Sequence, residues 1–424
     1  MTFHGASLPD FPWDSLQPYR ERALAHEGGI VDLSVGSPVD PTPQVVARAL
    51  ADAANWPGYP TTVGTPGLRD AMVDWWGRRR GVPDLTWEHV LPTVGSKEAV
   101  ALLPALLGIG RGDVVLHPRV AYPTYDVGAR LAGALPVPVD MTDPDSWASA
   151  IDEAWTGRAG AEAGAGGGAA GAPRVALVWV NSPSNPEGTV PTVVELRAIL
   201  ERARELGAVV ASDECYAELG FGGPYAGVGG DGDGVDGRIP SLLDPRVTGG
   251  SPAGVLALYS LSKQSNLAGY RAAMLAGDAA LVARMTEIRK HAGLMVPGPV
   301  QAAMTVALND DAHVAHQRET YRARRAALQG ALPAAGLTAR ERDVAGLYLW
   351  LTTTEEYAEE LARAERSWDC WDLVGALADR GILVAPGAFY GEPGRRHVRI
   401  GLNAPDALMA AAAERLRAGG PVLG

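Results

Sequence analysis

The chain has 424 residues, 47% hydrophobic and 20% charged, enough to bury a core for two domains or for one large domain with a smaller companion. A formal net charge of −12 argues against nucleic acid or an anionic membrane as the main partner, while leaving room for anionic small molecules in a locally cationic cleft. Two cysteines, Cys215 and Cys370, lack metal-ligand spacing, cannot make a disulfide framework and suit a reducing compartment.

The N-terminus, Met1-Thr-Phe-His-Gly, has neither a basic nor an apolar leader region, and no apolar run approaches the ~20 residues that span a bilayer, so a cytoplasmic location is expected. Ser96–Leu107 reads as a helix. Val114–His117 and Val175–Val180 read as buried strands. Thr192–Leu206 carries apolar residues at helical spacing, and Ala208–Ser212 and Val255–Tyr259 are again strands. Strand–helix alternation predicts an α/β fold with a mostly parallel mixed sheet flanked by helices, ligands sitting at the carboxyl ends of the strands. The Ala/Gly tract Gly157–Ala172 and the Gly-rich stretch Gly222–Gly250 read as flexible insertions dispensable to the core. From Leu308 the character changes to an Arg-rich helix, then short strands at Leu347–Leu351, Ile382–Val384 and His397–Leu402, with an acidic helix in Thr353–Ser367. The expected division is a large domain of residues 40–307, and a small α+β domain made from 308–424 with residues 1–39 attached.

Candidate chemistry clusters after these strands. Ser260-Leu-Ser262-Lys263 and Arg271 set an amine beside two hydroxyls and a guanidinium. The amine can condense with an aldehyde, and the hydroxyls and guanidinium can hold a phosphate dianion. Pyridoxal 5′-phosphate carries both groups. Asp213, ending a strand, can hold a pyridinium nitrogen, although a strand-end Asp is more often a plain helix cap. Tyr216 lies one helical turn further and can reach the same ring, or be a half-buried core tyrosine. The Asn181-Ser-Pro-Ser-Asn185-Pro-Glu-Gly188 turn can aim Asn185 back over the sheet edge. Gly95, Ser96 and Lys97 open a helix whose first amides suit a phosphate, and Tyr122 can stack on a ring.

These motifs, with Tyr59-Pro, Gly64-Thr-Pro-Gly-Leu-Arg69 and Val398-Arg399-Ile400, resemble the class I/II aminotransferases of the fold-type I pyridoxal-phosphate enzymes over essentially the whole chain. Glu187 departs from the usual Asn-Pro-Thr-Gly turn, at a position expected mainly to shape that turn. The resemblance implies that Lys263 bonds the cofactor aldehyde and then shuttles the substrate proton. It puts Asp213 on the pyridinium, Tyr216 and Asn185 on the ring oxygen, and Tyr122 on the ring face. Ser96, Ser260, Ser262 and Arg271, with the Gly95–Lys97 amides, would hold the phosphate. Arg399 would clamp the substrate carboxylate, with Gly36 and Asn185 beside it. Tyr59 would reach the partner subunit's cofactor, making a homodimer with shared sites.

Longer strings, among them Asp32-Leu-Ser-Val-Gly-Ser-Pro-Val-Asp-Pro and Arg380-Gly-Ile-Leu-Val-Ala-Pro-Gly-Ala-Phe-Tyr390, are similar to actinobacterial N-succinyldiaminopimelate aminotransferases of lysine biosynthesis. That implies glutamate and 2-oxoglutarate as the second substrate pair and a cation for a remote carboxylate. Arg289, Lys290 and His291 are the candidates, with Arg20 and Arg22 behind them, unless they form a solvated basic helix end. An aminotransferase acting on aspartate, alanine or aromatic amino acids, and a lyase needing no keto-acid acceptor, remain as alternatives.

Overall fold

The computed structural model describes residues 8–9, 11–163, 172–226 and 237–424. Seven strands form its main sheet in the order Val90–Val94, Ala272–Gly277, Val255–Ser260, Val209–Asp213, Arg174–Asn181, Asp113–Pro118, Leu135–Val139. Ala272–Gly277 runs antiparallel to both of its neighbours, while the other pairings are parallel. Side chains of one strand alternate between two hydrophobic clusters. Val114 and Leu116 enter one and Val115 the other; Val178 and Val180 enter the first, Leu177 and Trp179 the second. A sheet covered on both faces needs unbroken apolar strands, which is how these segments read in the sequence.

A second body of structure carries a four-stranded antiparallel sheet in the order Ala385–Pro386, Val398–Gly401, Tyr348–Thr353, Leu337–Ala339. The long helix Asp311–Gln329 and the helices Cys370–Asp379 and Asp406–Ala418 contribute to its hydrophobic cluster. Val31–Asp32 pairs in parallel with Ile382–Leu383, so the N-terminal segment is stitched to this body. The acidic stretch forms the helix Glu355–Arg363, capped by the Thr354 side chain. No helix among the described residues is long and apolar enough to cross a membrane.

Both supposed insertions need correction. The helix Trp147–Ala163 runs into the Ala/Gly tract, whose residues 164–171 lie outside the described set. In the second stretch residues 227–236 lie outside it, but the flanks belong to the core. Phe221 and Gly222 donate backbone bonds to Val344, and Ile239, Leu242 and Leu243 are buried. Ser241 Oγ and the Leu242 amide both bond the buried Glu214 carboxylate, itself paired with the buried Arg80. The glycines of residues 222–237 and 249–250 conceal the buried anchors, which lie in the glycine-free run Arg238–Thr248 between them.

Candidate active site

The carboxyl ends of the parallel strands converge on a cavity of ≈440 Å³. Ala272–Gly277 is antiparallel, so its beginning lies at that same edge and brings Arg271 there. Asp213 closes one strand, Asn181 and Asn185 follow the next, and Tyr122 and Tyr125 follow Asp113–Pro118. Lys263 lies in the single turn after Val255–Ser260, and Ser96 opens the helix Ser96–Leu106. From the second body come Arg399 and Tyr348, on paired strands, and the N-terminal segment lays Gly36 across them.

Asp213 is 7% exposed; its carboxylate accepts from Tyr125 Oη at 3.0 Å and from the Cys215 amide at 3.2 Å. No cation pairs with it among the described residues, and burial pushes its carboxyl above the ordinary range. Such a carboxylate favours a cationic N–H partner, which a pyridinium supplies. Behind it Asn181 Nδ2 bonds the Asp213 carbonyl at 2.9 Å, and Asn181 Oδ1 accepts the Asn185 amide at 2.7 Å. The Asn181 side chain therefore fixes the turn that presents Asn185.

Gly95 has φ +79°, and a Cβ there would collide with the Arg271 guanidinium. Arg271 itself is left-handed, at φ +55°, and Nη1 bonds the Ala268 carbonyl at 2.8 Å. Ser260 Oγ caps the next turn through the Ser262 amide and lies 2.9 Å from Ser262 Oγ. A helix start, a glycine that cannot carry a side chain, hydroxyls and a guanidinium make an anion cradle. The residues present fit pyridoxal phosphate at both of its ends.

Lys263 Nζ donates to the Gly36 carbonyl. Burial lowers its pKa below the ordinary lysine range, and Arg399 and Arg271 push the same way. Tyr216 lies buried with its hydroxyl 3.3 Å from that of Tyr348, and burial pushes its phenol well up. Arg399 is 2% exposed and bonds neutral acceptors, Asn185 Oδ1 at 3.0 Å and the Ser34 carbonyl at 2.7 Å. Its guanidinium lies 3.8 Å from the Tyr348 ring centre and 5.0 Å from that of Tyr390, and its Nε has no hydrogen-bond partner in the structure. A buried guanidinium without a carboxylate is prepared to receive one.

Gly95 lies beside this cradle, and the other expected residues line the cavity, except Tyr59 and the candidates for a distal carboxylate. Tyr59 is 96% exposed, away from its own chain's cavity. The expected distal cations also lie elsewhere. Arg289 is fully buried and bonds both Glu98 carboxylate oxygens, at 2.8 and 3.0 Å. Lys290 pairs with Glu287, Arg20 with Asp32 and Arg22 with Asp379, while His291 is exposed on the helix end. Helical sequence puts such residues near one another without revealing which already hold carboxylates. Lys97 also lines the cavity, its ammonium 5.7 Å from the Tyr122 ring and 5.9 Å from that of Phe11. Phe11 and Trp13 form an aromatic wall at the mouth, Trp13 packing on Phe389 at 5.2 Å. Glu187 does more than shape its turn: Oε1 pairs with Arg340 Nη1 at 2.9 Å.

Residues 29–416 match the family model described as aminotransferase class I and II. The chain is 50% identical to the 4-dedimethylamino-4-oxo-anhydrotetracycline transaminase of Streptomyces rimosus, over 96% of this chain and 99% of that one. It is 47% identical to a probable aminotransferase of Mycobacterium tuberculosis, over 97% and 86%. A solved probable N-succinyldiaminopimelate aminotransferase of Thermus thermophilus superposes with TM-score 0.76 at 26% identity, covering 96% of this chain and 99% of the other.

Proposed function

Because the chain belongs to the class I and II aminotransferases, enzymes of pyridoxal 5′-phosphate, we propose that it transfers amino groups between an α-amino acid and a keto acid by way of Lys263. One observation carries the reading. A buried amine of lowered basicity shares a cavity with a carboxylate that lacks a cation and a guanidinium that lacks an anion.

Bound pyridoxal phosphate supplies an electron sink for the carbanion left when the substrate's Cα proton departs. Arg399 binds the substrate carboxylate, and Asn185, hydrogen-bonded to it, fixes the guanidinium's angle. Lys263 Nζ, its pKa lowered by burial, accepts the Cα proton and returns it one position along. Asp213 would face the ring nitrogen, whose positive charge would offset the cost of burying the carboxylate. Asn185 Nδ2 and Tyr216 Oη would donate to the ring oxygen, while Ser96, Ser260, Ser262 and Arg271 would hold the phosphate.

The finer reading is the N-succinyl-LL-2,6-diaminopimelate:2-oxoglutarate pair, with cytoplasmic biosynthesis as its setting. Lys97 supports it as a cation for a remote carboxylate, as does the name of the Thermus relative. The aromatic wall of Phe11 and Trp13 favours a second reading, an acceptor ketone on an aromatic skeleton, matching the name of the Streptomyces relative.

A donor and acceptor panel with reconstituted enzyme, followed by the absorbance change of each half-reaction, tests both levels. Lys263→Ala is expected to abolish turnover; normal turnover by that variant ends the proposal. Lys97→Met is expected to raise KM for the succinylated substrate about tenfold with kcat little changed. An unchanged KM removes Lys97 from substrate recognition.

A further inference from the structure

Tyr348 lines the cavity without a part in the scheme above. Its hydroxyl lies 3.3 Å from that of Tyr216, and its ring lies against the Arg399 guanidinium. A methyl group at Gly36 would overlap its oxygen, so the N-terminal segment closes over it only as glycine. We propose that Tyr348 is a positioning residue whose hydroxyl donates to the Tyr216 oxygen, directing the Tyr216 proton at the cofactor's ring oxygen. The proposal rests on the reading of Tyr216 given above.

Two hydroxyls in contact share one hydrogen bond, and either can supply the proton. Tyr348 is faced by Arg399 from Val398–Gly401, by Lys263 from the turn after Val255–Ser260, and by the phenols Tyr216, Tyr321 and Tyr390. With its single proton committed to the ring oxygen in the reading above, Tyr216 can only accept at the 3.3 Å contact, so Tyr348 is the donor. An oxygen that accepts one hydrogen bond also makes its own hydroxyl a better donor. A proton aimed at the ring oxygen stabilises the lysine–cofactor chromophore in its deprotonated form, so losing that alignment raises the pH at which the chromophore titrates.

Tyr348→Phe keeps the ring on Arg399 and deletes the hydroxyl alone. The midpoint of the holoenzyme's visible absorbance titration is expected to rise by about 0.5–1 pH unit, with KM for the amino donor within about twofold. Gly36→Ala, which displaces the same oxygen, shifts the midpoint in the same direction. Tyr216→Phe raises it further, and adding Tyr348→Phe to that variant produces no additional shift. An unchanged or lowered midpoint in Tyr348→Phe overturns the proposal, even if turnover falls. So does a full additional shift in the double variant. A Tyr216→Phe midpoint equal to that of wild type refutes the prior reading of Tyr216 and takes this proposal with it.

Discussion

Arg399 shows what individual residues reveal and conceal. Its motif could be read from Val398-Arg399-Ile400 by resemblance, but its readiness for an anion comes from burial among neutral acceptors and aromatic faces. Lysine cannot reproduce two parallel N–H donors on a plane or spread its charge over a ring. Arg399→Lys is therefore expected to lower kcat/KM for amino acid and keto acid alike by about 10–100-fold, mostly through KM. Steady-state kinetics in both half-reactions measures it, and equal kinetics would remove Arg399 as the carboxylate clamp. The placement of Lys263, Asp213 and Asn185 in the cavity was legible because each follows a predicted strand in a recognisable string. Tyr125 and Tyr348 were not. Tyr125 lies three residues past Tyr122, which drew the functional reading, and its bond to Asp213 spans 88 residues. Tyr348 lies in an apolar strand where a tyrosine reads as core.

At the scale of elements, the buried parallel strands announced themselves, while the two edge strands and the buried antiparallel strand Ala272–Gly277 did not. Val90–Val94 contains Pro92, and Leu135–Val139 contains Pro136 and Pro138, which reads as loop. These two strands are the two edges of the sheet, where a missing N–H leaves fewer ladder partners wanting. The helix Ser96–Leu106 was legible, but what holds it in place was not. Glu98, in its first turn, accepts from the Val94 amide and binds Arg289 of the helix Ala279–Ala292. Arg289, from the basic cluster expected to touch substrate, thus braces from behind the helix start proposed to hold the phosphate. Glu98→Gln leaves the fully buried Arg289 guanidinium without its counter-charge, and is expected to cost about 3 kcal/mol of stability. Thermal unfolding of the apoprotein should show the loss, and equilibrium titration a weaker affinity for pyridoxal phosphate. Stability equal to wild type would mean that the pair braces nothing.

For the whole molecule, the contrast between its net charge and its site matters first. Against a formal charge of −12 the cavity gathers Lys97, Lys263, Arg271 and Arg399, so an anionic substrate meets attraction there. The other whole-molecule question is Tyr59, whose ring is 96% exposed although Trp56, three residues earlier, packs against Gly298. The segment is anchored at one end and offers an aromatic hydroxyl outward at the other, as a residue serving a second copy would. If Tyr59 completes the partner's site, inactivating lesions in different subunits must complement one another. In a hybrid of Lys263→Ala with Tyr59→Ala, the subunit that keeps Lys263 would receive Tyr59 from its partner, restoring one intact site per dimer. The expected outcome is one tightly held cofactor per hybrid and about half of wild-type activity per dimer, set against two impaired homodimers. If every site used its own Tyr59, the hybrid would contain no intact site and mixing the variants would restore nothing. The count of tight cofactor sites in the purified hybrid therefore decides between a shared and a self-contained active site.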